Sequence, residues 1–239
     1  MSSFRYYHRI AVANIATTCY CEGIRGPFAL AIENDNARKA GGPKQFGAIG
    51  GGATVSQEGA DILAALGPVV FERHDDNVQI DARMTFGADT ERDLQTLRTT
   101  FLRTMLEWAR TASSSLIELD PKREFREELV VDRQSIITER QLATIRTRLS
   151  GWKCGVERQS SRGSGGILTT PAYLCHEVHF EDPAVLAALL NEPLRRVRMV
   201  SAGELKTTNS GSTEGRTHDG FVLFANVFAP EVIRSFFRE

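Results

Sequence analysis

The chain has 239 residues, 41% of them hydrophobic and 25% charged, with 29 Lys and Arg against 30 Asp and Glu and a net charge of −1. That size and mix describe an ordinary globular chain. The balanced charge excludes a whole-surface electrostatic grip on extended nucleic acid or on an anionic membrane. No apolar run is long enough to span a bilayer and residues 1–5 lack a signal-peptide core, so a cytoplasmic protein is expected. The four cysteines, Cys19, Cys21, Cys154 and Cys175, form no Cys-x-x-Cys pair and read as reduced, mostly buried thiols.

In chain order, residues 6–20 set Ile10, Val12 and Ile15 among small residues, with Thr17 and Thr18, which suits a long strand. Residues 22–27 are a turn by composition, residues 28–32 a short apolar strand, and residues 33–44 a polar loop. Gly50, Gly51 and Gly52 follow the apolar Ile49. They predict either a flexible turn or a bend that admits phosphates or a neighbouring helix at close range. Residues 77–86 alternate apolar and polar and predict a strand. Asp89-Thr90-Glu91 then opens a helix. Its stripe of Leu94, Leu97, Phe101, Leu102, Met105 and Trp108 reads as core packing.

A short helix starts at Asp120-Pro121, where Asp120 can cap the first amides and Pro121 sits where a missing N–H costs nothing. Glu124, Glu127 and Glu128 fall at i, i+3 and i+4 and project from one side, while Phe125 and Leu129 turn toward a core. Like charges at that spacing repel. A hard divalent cation reverses the repulsion, because Mg²⁺ takes a few carboxylate oxygens together with water and substrate phosphate. The other reading is a solvated acidic face with Arg123 and Arg126 as local partners. Residues 141–158 and 167–180 predict a long hairpin around a loop at 160–166, with Glu177, His179 and Glu181 on one face and His176 on the other. Asp182-Pro183 starts a helix through Leu190, residues 195–200 form a strand, residues 207–217 are loose, and residues 230–238 close as a helix. With no repeat and no linker, one domain over residues 1–239 is expected.

Arg123-Glu124-Phe125-Arg126-Glu127-Glu128 resembles the core of the Nudix box, Arg-Glu-apolar-x-Glu-Glu, the metal-binding helix of the Nudix hydrolase superfamily. The full box runs Gly, five residues, Glu, seven residues, this core, any residue, Gly, and an apolar residue. Here Ala109, Ser115 and Val130 stand at the first Gly, the early Glu and the late Gly, and Val131 fits the last position. Gly50-Gly51-Gly52 resembles the Gly-Gly segment that precedes the box in that superfamily, with residues of about 54–119 inserted between the two. Residues 201–205 are similar to a late corner of Nudix domains. The layout resembles one branch, the SMODS-associated Nudix domains of bacterial conflict systems. The matching pieces are Tyr7-His8-Arg9-Ile10, residues 46–53, Ala82-Arg83, Trp108 and residues 123–129.

The resemblance implies an α/β fold, a Nudix-like α/β/α sandwich with a mixed sheet and an inserted strand and helix before the Nudix helix. It implies that the strands at 6–20 and 28–32 form an opening hairpin. It implies Mg²⁺ or Mn²⁺ as cofactor, held by Glu124, Glu127 and Glu128 with a further carboxylate from outside the box. Glu177 is the candidate for that place, and Glu181 the other. Glu124, Glu127 and Arg123 take the catalytic positions, with Arg123 holding the glutamates. Gly50, Gly51, Gly52, Phe46 and Arg9 take the substrate positions, Phe46 and Arg9 as stacking partners. The implied activity is Mg²⁺-dependent hydrolysis of a nucleoside-diphosphate-type nucleotide in nucleotide-signalling anti-phage defence. The alternative is a non-catalytic module that senses a nucleotide in the same cleft, and a third reading is an interaction scaffold. The partner is then a small nucleotide rather than a membrane or a nucleic-acid surface, and a homodimer is compatible with the sequence.

Overall fold

A computed structural model describes residues 6–33, 45–73, 80–111, 115–131, 135–154, 158–159, 168–201, 215–216 and 222–223. The chain clusters into two compact units of three segments each. The first holds Met1–Asn14, Gly51–Leu119 and Gly151–Leu174, and the second Ile15–Gly50, Asp120–Ser150 and Cys175–Glu239. The segments alternate along the sequence, which is how two units arise from a chain with no recognisable linker. Three long strands, β1 (Tyr6–Cys21), β8 (Ile145–Cys154) and β10 (Leu168–Phe180), have residues in both units.

In the first unit, β1 pairs antiparallel with β7 (Ile80–Ala88), from Tyr6 opposite Ala88 to Ala11 opposite Arg83. The alternation expected of this strand holds, since Ile80, Ala82, Met84 and Phe86 are all buried. Two further strands pair antiparallel with β7: β5 (Thr54–Val55) and β6 (Val69–Arg73), the latter with a register shift between Phe71 and Glu72. Between them lies α1 (Gln57–Ala64), capped by the Ser56 hydroxyl, which accepts from Gly59 N–H at 3.1 Å. The helix α2 (Glu91–Thr111) starts on Thr90, whose hydroxyl accepts from Asp93 N–H at 3.1 Å. Its stripe does pack inward. Leu94, Phe101 and Met105 are buried, and Phe101 meets Phe86 edge-on with ring centres 5.5 Å apart. The short strand β9 (Arg158–Gln159) pairs with the start of β10.

In the second unit, β2 (Ala29–Glu33), β3 (Gln45–Ala48), β11 (Val197–Val200), β12 (Gly215–Arg216) and β13 (Val222–Leu223) form a five-stranded sheet in the order β11-β2-β3-β13-β12. The β3–β13 pair is parallel and the other pairs are antiparallel, so the protein is α/β with a mixed sheet. The expected opening hairpin shrinks to one bridge, Cys19 opposite Phe28, after which β2 joins β11 and β3 instead. The reason is burial: Ala29, Leu30 and Ala31 are each 0% exposed, so both faces of β2 are covered, as a central strand requires. A second departure lies at residues 141–144, expected as strand. They belong to α4 (Glu139–Thr144), because Thr138 and Gln141 form a reciprocal capping box. After it β8 and β10 lie side by side, as expected of the long hairpin. Asp182 caps α5 (Pro183–Leu190), accepting from Ala184 N–H at 2.9 Å.

The core of the second unit joins Ala16, Leu30, Phe125, Leu129, Phe180, Leu189 and their neighbours. Each large side chain buried there contributes about 1.5–3 kcal/mol. The expected corner at 202–205, the loops at 34–44 and 160–166 and the terminal helix at 230–238 lie outside the described residues. Among the described residues no helix is long and apolar enough to cross a membrane.

Gly59 of α1 makes the packing of the first unit testable. A Cβ there would lie 2.4 Å from the Leu116 carbonyl oxygen and 2.8 Å from a Val55 methyl. Ala is the better helix former, yet Gly59→Ala is expected to lower stability by about 1–3 kcal/mol, because backbone has to move. Urea denaturation of the two proteins measures it; equal or greater stability of the variant would refute the close approach.

Candidate functional site

The glutamate helix starts one residue later than expected, with Pro121 rather than Asp120 at the cap position and no side-chain cap, and it changes form at its end. The Asp120 carboxylate accepts from Lys122 N–H at 3.0 Å, and Thr147 Oγ1 donates to the same oxygen at 3.0 Å. The helix α3 (Lys122–Arg126) runs only one turn. From Glu127 to Val131 the backbone widens into a π-helical turn. The turn ends on the β-branched pair Val130-Val131, poor helix formers. Its last carbonyls are taken by the chain that follows. Ile136 N–H donates to Leu129 O at 2.9 Å, and Ser135 Oγ to Val130 O at 2.7 Å. Single π turns are frequent at functional sites.

Phe125 and Leu129 are fully buried, as expected, and set the outward side of the helix. There Arg123 lies between two carboxylates: Nη2 is 2.5 Å from Glu124 Oε1 and Nη1 is 2.9 Å from Glu127 Oε1. The two acids differ in access. The Glu124 side chain is 10% exposed and that of Glu127 53%. Glu128 is half-buried. Arg126 turns away to the exposed Glu139, at 2.8 Å. The holding position expected of Arg123 thus has a geometric counterpart, whereas Arg126 pairs outside the helix rather than with its acidic face.

The remaining expected site residues are dispersed. Glu177 is bound by Arg148, through Nε at 3.0 Å and also through Nη2. His179 Nε2 lies 3.8 Å from Glu177, and its ring stacks on Tyr20 with centres 4.8 Å apart. Strand alternation explains why Glu177 does not join the helix glutamates. Val178 and Phe180 share the core with Phe125 and Leu129, so the helix covers the even-numbered face of β10 and Glu177 occupies the other. Glu181 is likewise engaged, with Arg146 at 3.0 Å. Neither arginine was anticipated, although the alternation of Arg146 and Arg148 opposite two glutamates is a cross-strand charge pattern readable in the hairpin.

The three glycines form β4 (Gly50–Gly52), which pairs with β1, rather than a loose turn. On one side of them Ala16 N–H donates to Ile49 O, and on the other Ala53 N–H donates to Val12 O, both at 2.9 Å. Gly50 has φ 151°, a backbone angle that L side chains rarely adopt. Gly50 belongs to the second unit, Gly51 and Gly52 to the first. Phe46 is 1% exposed and carries the Arg198 guanidinium 5.5 Å above its ring, so its face is covered and cannot stack a base. Arg9 is half-buried in β1 opposite Thr85, in the first unit. The expected stacking pair is therefore not assembled within either unit.

Two buried groups are inert. Burial pushes the Cys19 thiol up to about 12, which keeps it protonated and unreactive. Cys21 and Cys175 are also free thiols. His176 is 0% exposed, and burial drives it down to about 4 against a small opposing pull from Asp120. Among the described residues no three His, Cys, Asp or Glu side chains converge on one point as a ready ion site. Comparison of the chain with protein-family models, with curated proteins and with solved structures finds no match.

The buried imidazole predicts a pH dependence. Its folded value, about 4, lies below the unfolded value near 6.5, so the unfolded state binds more protons between the two. The stability held in neutral His176 is complete above pH 6.5 and drains as pH falls toward 4. Urea midpoints from pH 7 to 4 should fall more steeply for wild type than for His176→Leu, and parallel curves would refute this assignment.

Proposed function

We propose that the chain is a Mg²⁺-dependent hydrolase of a nucleoside-diphosphate-type nucleotide, with Mn²⁺ as the alternative ion. Its fold is then a Nudix-like α/β/α sandwich, and its setting the nucleotide-signalling defence that the resemblance implies. One observation carries the reading: Arg123 ties the enclosed Glu124 to the exposed Glu127 on a helix whose core side is fixed by Phe125 and Leu129. An arginine between two acids offsets their mutual repulsion and limits their rotamers.

The donor set fits the ion in kind. Mg²⁺ prefers hard oxygens and is commonly bound by one or two carboxylates, the rest of its shell being water and substrate phosphate. Glu127, half-exposed beside the more enclosed Glu124, is the residue that ligand can reach, and Glu128 is the third. A bound divalent ion would supply charge neutralisation on the phosphate oxygens and polarisation of the scissile bond. Glu124, being enclosed and pinned, is suited to orient a nucleophilic water, and Arg123 is the positioning residue.

A second reading, nucleotide sensing without cleavage, has its own observations. Arg123 already compensates two of the acids, and among the described residues no three acidic groups converge. Ser115 and Val130 stand where the box has Glu and Gly.

A nucleotide panel assayed with and without Mg²⁺ separates the two. Hydrolysis predicts metal-dependent turnover that falls by about a hundredfold or more in Glu127→Gln. Saturable binding that tolerates EDTA, yields no product and is lost in Arg123→Ala but kept in Arg195→Gly supports sensing. Neither turnover nor binding would sink both.

A further inference from the structure

We infer that the second unit holds a separate ligand site, for a phosphate ester of mononucleotide size, in the cleft beside the turn that follows α5. The cleft encloses about 510 Å³ and is lined by Phe46, Leu190, Pro193, Arg195, Val197 and Arg198 with Asn191 and Glu192. None of these belongs to the glutamate helix.

The turn itself is held by other groups. Arg195 N–H donates to Glu192 O at 2.9 Å. The Glu192 carboxylate, 4% exposed, accepts from Arg196 N–H at 2.7 Å and from Arg196 Nε at 2.9 Å. Arg196 O in turn accepts from Glu33 N–H at 2.8 Å. Burial pushes the Glu192 carboxyl up, but the hydrogen bonds from Arg196 outweigh it and hold the group below its usual range. The acid of the cleft is thereby ionised and matched by Arg196.

Arg195 has no comparable structural reason to be arginine. It is exposed, and with φ 52° it is the only non-glycine residue among those described that has a positive φ. Glycine would take that angle at no cost, whereas a long side chain there is strained. Strain of this kind persists where the surrounding structure fixes it, and it clusters at ligand sites. The side chain so placed lines the cleft together with Arg198, whose guanidinium is braced against the Phe46 ring. Two guanidinium forks on one cleft match phosphate oxygens in geometry and charge. The volume lies within the range of small-molecule sites and exceeds what inorganic phosphate fills. Leu190, Pro193 and Val197 offer an apolar surface to the uncharged part of such an ester.

The test is calorimetric titration of the full chain with the four common nucleoside 5′-monophosphates and with inorganic phosphate. EDTA is present throughout, so that metal at the glutamate helix contributes nothing. Expected are saturable binding of at least one nucleotide, more tightly than phosphate, and weakening by about tenfold or more in Arg195→Gly. The same variant should melt at the wild-type temperature or above, because the backbone strain is relieved, and Glu127→Gln should bind as wild type. The site is refuted if no nucleotide binds, if Arg195→Gly binds as wild type, or if Glu127→Gln loses binding while Arg195→Gly keeps it.

Discussion

Burial of Phe125 and Leu129 is the constraint on which the candidate site depends. The two side chains lie four residues apart, both are fully buried, and together they are worth about 3–6 kcal/mol of apolar transfer. That energy exceeds anything the exposed charges of the helix can contribute, since surface ion pairs are worth at most about 1 kcal/mol. The core therefore orients the helix, and the charged residues take what remains. What remains is an outward side on which Arg123 reaches both Glu124 and Glu127. Without the arginine, adjacent carboxylates would repel; with it, the two are held at short range.

The same logic of faces separates groups that a linear reading places together. Along β10, His176, Val178 and Phe180 face inward, and His176 is accordingly neutral. Glu177, His179 and Glu181 face the other way, where Arg148, Tyr20 and Arg146 meet them. A carboxylate one residue from a core position is as far from that core's helix as the strand permits. The glycine run obeys a ladder too. Its residues pair with β1, and Gly50 takes an unusual backbone angle within that pairing.

Acid chemistry in this protein divides by environment. Glu124 and Glu127 share one arginine, Glu177 and Glu181 each have one of their own, and Glu192 is enclosed with Arg196. Arginine rather than lysine stands at every one of these places. The planar fork can hold a carboxylate through two nitrogens, as Arg148 does, or divide two nitrogens between acids, as Arg123 does. The exposed Arg195 is set apart by its backbone, with a φ of 52°.

Local signals in the sequence were enough for β1, for the buried alternation of β7, for the stripe of α2, and for the capped start of α5. Each depends on neighbours within one or two turns, and period or cap chemistry reports such neighbours directly. The capping box Thr138-x-x-Gln141 was equally local, and its signal was overlooked in favour of the apolar spacing that follows it. By contrast, two features were decided by tertiary structure alone. They are the passage of β2 into a sheet with β11 and β3, and the allocation of Glu177 to the face opposite the glutamate helix. Each depends on partners far away in sequence, and on which of two locally equivalent arrangements buries more apolar surface. The residue types of the candidate site were written in the sequence; which of them meet was settled by packing.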